Sequence, residues 1–227
     1  DILAVKDPET RKKQYLEAIS FYLEKTDFNI IFTENSGTYI GNYFKGNKRI
    51  EFLTFLSSDT SFDRGKGWKE LEIIDYSIKN SKFVHSGVSV VKITGRLKVL
   101  DINSIGQQVR RLKSGLDNFV LCNVYKAFKM DSRCFAFTLD FWPVLFRHGQ
   151  SINLHYSFER ALWKAICEYD LLNNGKYMQF NHPLRIRGIS GGLGMPYNHG
   201  VFLTMIKRVR HFFMVPLIYK KFRSQSI

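Results

Sequence analysis

Val91-Lys92-Ile93-Thr94-Gly95-Arg96-Leu97 reads as an apolar strand leaving its sheet through a glycine, with a cation on either side. A buried strand carries a lysine only where the ammonium finds a partner. An arginine beside a glycine can approach a diphosphate closely and hold it through two parallel hydrogen bonds. A plainer alternative pairs Lys92 with a carboxylate and leaves Gly95 to turn the chain. Either way a strand is predicted over 88–93, with polar chemistry at its exit.

Working outward, apolar spacing predicts helices over 9–24, 68–79, 101–112 and 157–169, and strands over 28–33, 50–56 and 118–123. Asp7-Pro8 supplies a cap and a first-turn proline for the first helix, and Asp101 an acidic cap for the third. Short strands are predicted at 177–180 and 184–187, a glycine-rich loop at 188–194 and a last helix over 199–213. The order α-β-β-α-β-α-β implies an α/β fold with ligand chemistry at strand ends. Two regions follow: a main domain over 1–200 and a basic amphipathic segment over 201–227. The sequence shows no internal repeat.

Composition narrows the chemistry. With 44% hydrophobic and 15% aromatic residues among 227, the chain can bury a core and is not a disordered polymer. Three scattered cysteines, Cys122, Cys134 and Cys167, exclude a disulfide scaffold or zinc ribbon and fit a reducing compartment. No apolar run is long enough to span a bilayer, and the first residues lack the order of a signal peptide. The expectation is a cytoplasmic globule. Lys and Arg total 34 against 20 Asp and Glu, a net +14. Nine of those cations, and no acid, follow Asp170. Such a field favours an anionic partner.

Three further segments carry potential chemistry. Arg64-Gly65-Lys66-Gly67-Trp68-Lys69-Glu70 precedes a helix, where glycines bare backbone N–H groups and the helix start favours anions. It is neither a Walker A loop nor a dinucleotide fingerprint. His155-Tyr156-Ser157-Phe158-Glu159-Arg160 opens another helix. Glu159 there is either a first-turn capping group or a general base toward a hydroxyl. Arg187-Gly188-Ile189-Ser190-Gly191-Gly192 is either a plain surface loop or a lid, with Arg185 and Arg187 turned to phosphate. The six histidines form no HxxxH or HxH pair, so no dedicated zinc site is expected, and there is no GxSxG elbow.

In order, Asp7-Pro8-x-x-Arg11-x-x-Gln14-Tyr15, Phe32-Thr33-Glu34-Asn35-Ser36-Gly37, Gly65-Lys66-Gly67-x-x-Glu70, Lys92-Ile93-Thr94-Gly95-Arg96, Phe158-Glu159 and Gly188-Ile189-Ser190-Gly191 span most of the chain. This series resembles a bacterial glycosyltransferase family of capsule, lipopolysaccharide and O-antigen loci. The resemblance implies a GT-A-like, Rossmann-related mixed sheet flanked by helices. It implies a nucleotide-sugar donor and a glycan or lipid-linked glycan acceptor. Donor binding then falls to Glu34, Asn35, Ser36, Lys66, Glu70, Lys92, Gly95 and Arg96, and base catalysis to Glu159, ahead of Asp131 and Asp140. Arg187, Gly188, Ser190 and Gly191 form the acceptor-side lid.

Commoner GT-A enzymes hold a metal with an Asp-x-Asp motif where this chain reads Thr94-Gly95-Arg96. The resemblance with that departure implies metal-independent, inverting transfer, with cations in the metal's place and no cofactor. Because a GT-A domain usually opens with a strand, 2–5 is the candidate for it. The interleaved cations and aromatics of 206–223 fit an anionic membrane surface on the cytoplasmic side. Two rivals remain: a nucleic-acid-binding module, although no RNP or helix-turn-helix signature appears, and another nucleotide-dependent transferase.

Overall fold

Asp7 starts the first helix as its sequence suggests. Its carboxylate accepts from the Thr10 amide at 2.8 Å, and Pro8 occupies the first turn of α1 (Pro8–Lys25). In the computed structural model, residues 7–57, 64–126, 128–189 and 195–197 are described. The strand proposed at 2–5, the lid residues Ser190 and Gly191, the helix at 199–213 and the basic segment over 201–227 lie outside them.

After α1 come β1 (Ile30–Glu34) and β2 (Ile50–Thr54), which pair in parallel, Ile30 opposite Ile50 and Glu34 opposite Thr54. Then follow α2 (Lys66–Asn80), β3 (Ser89–Ile93), β4 (Lys98–Val99) and α3 (Ile102–Gly115). The second half holds β5 (Phe119–Lys126), β6 (Lys129–Thr138), α4 (Trp142–Gly149), α5 (Phe158–Leu171), β7 (Lys176–Met178) and β8 (Ile186–Arg187). The main sheet runs β3-β6-β5-β7, antiparallel except where β5 meets β7, and β4 pairs with β8 separately. The described chain is therefore α/β, with a mixed sheet flanked by helices.

Alternation along β6 divides the core. Phe135 and Phe137 point to α2, α4 and α5, meeting Leu71, Leu145, Phe158 and Leu162. Cys134 and Ala136 point the other way, toward Ile105, Val109 and Leu112 of α3. Both phenylalanines are fully buried, each contributing roughly 1.5–3 kcal/mol of apolar transfer. A third cluster seats Ile19 of α1 on Phe32 and Ile50 of the parallel pair.

The strand β6 and the helix α4 were not legible in advance. The first half of β6 reads Lys129-Met130-Asp131-Ser132-Arg133, polar where strand periodicity asks for apolar residues, yet Asp131 and Ser132 are buried. The acidic cap expected at Asp101 is also corrected. Asp101 occupies the cap position of α3 without bonding its amides, because Arg185 takes the carboxylate through Nε at 2.7 Å and its own backbone amide at 3.0 Å. Arg185 is thus turned to a carboxylate and not to a phosphate.

Candidate active site

The first residues of α2 and α5 converge. Gly65 takes φ +84° and ψ 179°, a conformation open to glycine and strained for residues with a Cβ, and this turn launches α2 at Lys66. One residue on, a Cβ at Gly67 would lie 3.1 Å from the Phe158 amide nitrogen and 3.2 Å from Ile152. Glycine there lets the first turn of α2 press on the first turn of α5. Arg64 locks the junction, donating to the Ile152 carbonyl at 2.9 Å and stacking on Trp68 at 3.5 Å. Two helix starts, each the partially positive end of a helix dipole, are thereby brought together.

Lys92, on β3, reaches into this junction. Its ammonium donates to the Glu70 carboxylate of α2, to the Ser132 carbonyl at 2.6 Å and to the Thr94 hydroxyl at 3.3 Å. The Phe135 and Phe158 rings lie 5.7 and 5.8 Å away. Ser132 then joins the group to α5, its hydroxyl donating to Glu159 Oε1 at 3.1 Å. Burial pulls the Lys92 pKa down to about 8, with Cys134 and the Glu159 and Asp131 carboxylates pulling the other way. Lys92 is 9% exposed and Glu70 27%, so the pair is largely out of water.

Three residues proposed from sequence, Glu70, Lys92 and Glu159, therefore share one network, but in altered roles. The direct neutralisation of a diphosphate by Lys92 is corrected. Its ammonium is already held by a carboxylate and a carbonyl, the plainer alternative for that strand. Glu70, in turn, is the counter-ion of Lys92. Glu159 sits at the border of the network with a hydroxyl partner and no cation bonded to it among the described contacts.

The other acids have other duties. Asp131 is gripped by Arg133, Nε to Oδ1 at 2.7 Å and Nη2 to Oδ2 at 2.6 Å. Despite its own burial, this contact holds the Arg133 guanidinium above its ordinary pKa. Asp140 accepts the buried Tyr169 hydroxyl. Burial pushes the Cys122 and Cys134 thiols upward, and Cys167 up to about 11, so none of them is a ready thiolate.

Glu34 is the last residue of β1, and Asn35 and Ser36 follow it. Glu34 Oε2 accepts from the Ser36 amide at 2.7 Å and hydroxyl at 2.8 Å, while the Asn35 carbonyl accepts from the Ser57 amide at 3.2 Å. Glu34 therefore shapes its own loop. Arg96 is half-buried and donates to the neutral Gln14 side chain at 3.4 Å. Gly95 admits the Tyr15 ring, which an added Cβ would meet at 3.1 Å. Lys66 is exposed as the first residue of α2.

The lid reading is corrected at its near end. Arg187 belongs to β8 opposite Lys98. Gly188, at φ +140°, lies where a Cβ would be 2.9 Å from Leu97 and 3.0 Å from the Arg96 carbonyl, and its own carbonyl accepts from Tyr197 at 2.8 Å. The loop's start is pinned beside Arg96. Sequence reasoning passed over Ser132, the link between Lys92 and Glu159. A buried serine needs a polar partner, but the polar run Lys129-Met130-Asp131-Ser132-Arg133 hid that Ser132 is buried.

No group of three or more His, Cys, Asp or Glu among the described residues could hold a metal, and none of the described helices is long and apolar enough to cross a membrane. No family model, curated protein or solved structure matches the chain.

Proposed function

We propose that this chain is a glycosyltransferase of GT-A type, moving a sugar from a nucleotide-sugar to a glycan or lipid-linked glycan acceptor in surface polysaccharide synthesis. The observation that carries the reading is Glu159: a carboxylate on the first turn of α5, oriented by Ser132, where two helix starts meet. In α/β folds ligands bind beyond the carboxyl ends of parallel strands; β1 ends in the Glu34-Asn35-Ser36 loop, and Ser36 bridges to Leu56 just past the end of β2.

In this mechanism Glu159 accepts the proton of an acceptor hydroxyl as its oxygen attacks the anomeric carbon. The bond from that carbon to the nucleotide diphosphate breaks, and the configuration inverts. With Lys92 engaged by Glu70, the charge on the leaving diphosphate is met by Arg96, Lys66 and the starts of α2 and α5. The transfer is proposed to need no metal. The basic segment over 201–227 is proposed to hold the enzyme on the cytoplasmic face of an anionic membrane.

A thermal-shift screen of UDP-, GDP- and CMP-sugars beside S-adenosylmethionine tests the reading. A nucleotide-sugar at 100 times its Kd stabilises by about 2.7 kcal/mol. One nucleotide-sugar is expected to shift the melting curve equally with and without EDTA. A shift by S-adenosylmethionine alone, or tight salt-sensitive binding of RNA with no nucleotide-sugar effect, overturns it. A shift that vanishes in EDTA removes the metal-free part.

A further inference from the structure

A cleft of about 340 Å³ opens along the first two turns of α5, with Phe128, Tyr156, Arg160, Trp163 and Lys164 as its described lining. Arg160, Trp163 and Lys164 recur at helical spacing and so share one face of α5, and Tyr156, just before the cap, joins them with its ring 5.7 Å from the Lys164 ammonium. Glu159 borders that face one turn before Trp163. Phe128 comes from the other wall, the tip of the β5–β6 hairpin, and its ring meets Trp163 edge-on at 5.1 Å. It is a bulky residue at φ +58° and 46% exposed. A positive φ is what a two-residue hairpin turn between paired Lys126 and Lys129 requires, and glycine or asparagine is its usual occupant, so the phenylalanine here is a costly choice.

The lining combines aromatic surface with two exposed cations and, among the described residues, no carboxylate. Flat aromatic faces pack on the C–H face of a pyranose, and an arginine with a nearby lysine suits a carboxylate. The nucleotide side of the proposed enzyme lies instead at the ends of β1 and β2 and the start of α2. We propose that this cleft is a saccharide subsite for an acidic, carboxylate-bearing glycan, with Arg160 and Lys164 binding the carboxylate and Tyr156, Trp163 and Phe128 packing on the sugar rings. Its assignment as the acceptor side, beside Glu159, rests on the transferase reading; the binding of an acidic saccharide does not.

Calorimetric titration of the full chain with trigalacturonic acid, neutral maltotriose and an oligothymidylate separates the cases. The acidic trisaccharide binds, and maltotriose binds far more weakly. The double substitution Arg160→Gln with Lys164→Gln weakens the acidic ligand by roughly tenfold or more, as loss of charge-assisted hydrogen bonds requires, at unchanged melting temperature. No binding of trigalacturonic acid, equal binding of maltotriose, or unchanged binding to the double variant overturns the proposal. So does an oligothymidylate affinity that the same double variant abolishes, which makes the cleft a nucleic-acid site. The nucleotide-sugar melting shift, run on the same samples, keeps the two readings apart. A donor shift without acidic-saccharide binding sinks the subsite alone, and the reverse sinks the transferase alone.

Discussion

Replacing Glu70 by Gln leaves the Lys92 ammonium among Phe135, Phe158 and the Ser132 carbonyl without its counter-ion. Removing one partner of a fully buried ion pair costs about 3–5 kcal/mol. Glu70 keeps 27% of its surface and Lys92 9%, so water reaches the pair from the glutamate side. The expected cost of Glu70→Gln is accordingly about 2–4 kcal/mol, below the fully buried case. Lys92→Met fills the same apolar slot, and the remaining Glu70 can turn toward solvent. That change is expected to cost about 1–2 kcal/mol, and the double variant less than the sum, with a coupling of about 1–3 kcal/mol. Urea unfolding should show the midpoint falling at constant slope. For a chain this size each kcal/mol corresponds to roughly 2–4 °C of melting temperature. A Glu70→Gln protein within about 0.5 kcal/mol of the original, or single effects that simply add, refutes the claim that Lys92 serves the junction between β3 and α2.

The same lysine gives a pH signature. Its folded pKa of about 8 lies below the ordinary value of 10.5, so the unfolded chain binds more protons between those values. The penalty for burying the charge is full below pH 8 and fades as pH rises toward 10.5. The original chain should gain stability relative to Lys92→Met across that window, and a flat difference counts against the shift. Glu159→Gln keeps the shape of the Ser132 contact but cannot take a proton. Turnover is expected to fall by about 10²–10⁴-fold at unchanged melting temperature, and near-normal turnover removes Glu159 from the chemistry. Gly65→Ala forces a Cβ into the turn that launches α2, with an expected loss of about 1–3 kcal/mol in urea unfolding. An unchanged midpoint there shows that α2 can start in another way.

Local periodicity sufficed for α1, α2, α3 and α5 and for the strands β1, β2, β3 and β5, because an apolar face at a fixed repeat is written into consecutive residues. The Asp7-Pro8 start was equally local. The strand β6 was not, because Asp131, Ser132 and Arg133 satisfy one another, Glu159 and Lys92 across the fold, and that satisfaction lets polar residues enter a buried strand. Asp101 and Arg185 make the same point, a helix-capping position overruled by a cation 84 residues away.

For the site, the sequence alone determined which residues bear charge beside glycines and helix starts: Lys66, Glu70, Lys92, Arg96 and Glu159. Only the tertiary structure decided how they are used. It joined Lys92 to Glu70, left Arg96 with a neutral amide and put Glu159 beside Ser132. The physical reason is range. Backbone conformation and amphipathic faces follow from neighbours within a turn or two, whereas the partner of a buried charge is whichever group the packed elements bring within about 3 Å, and that is a property of the assembled layers.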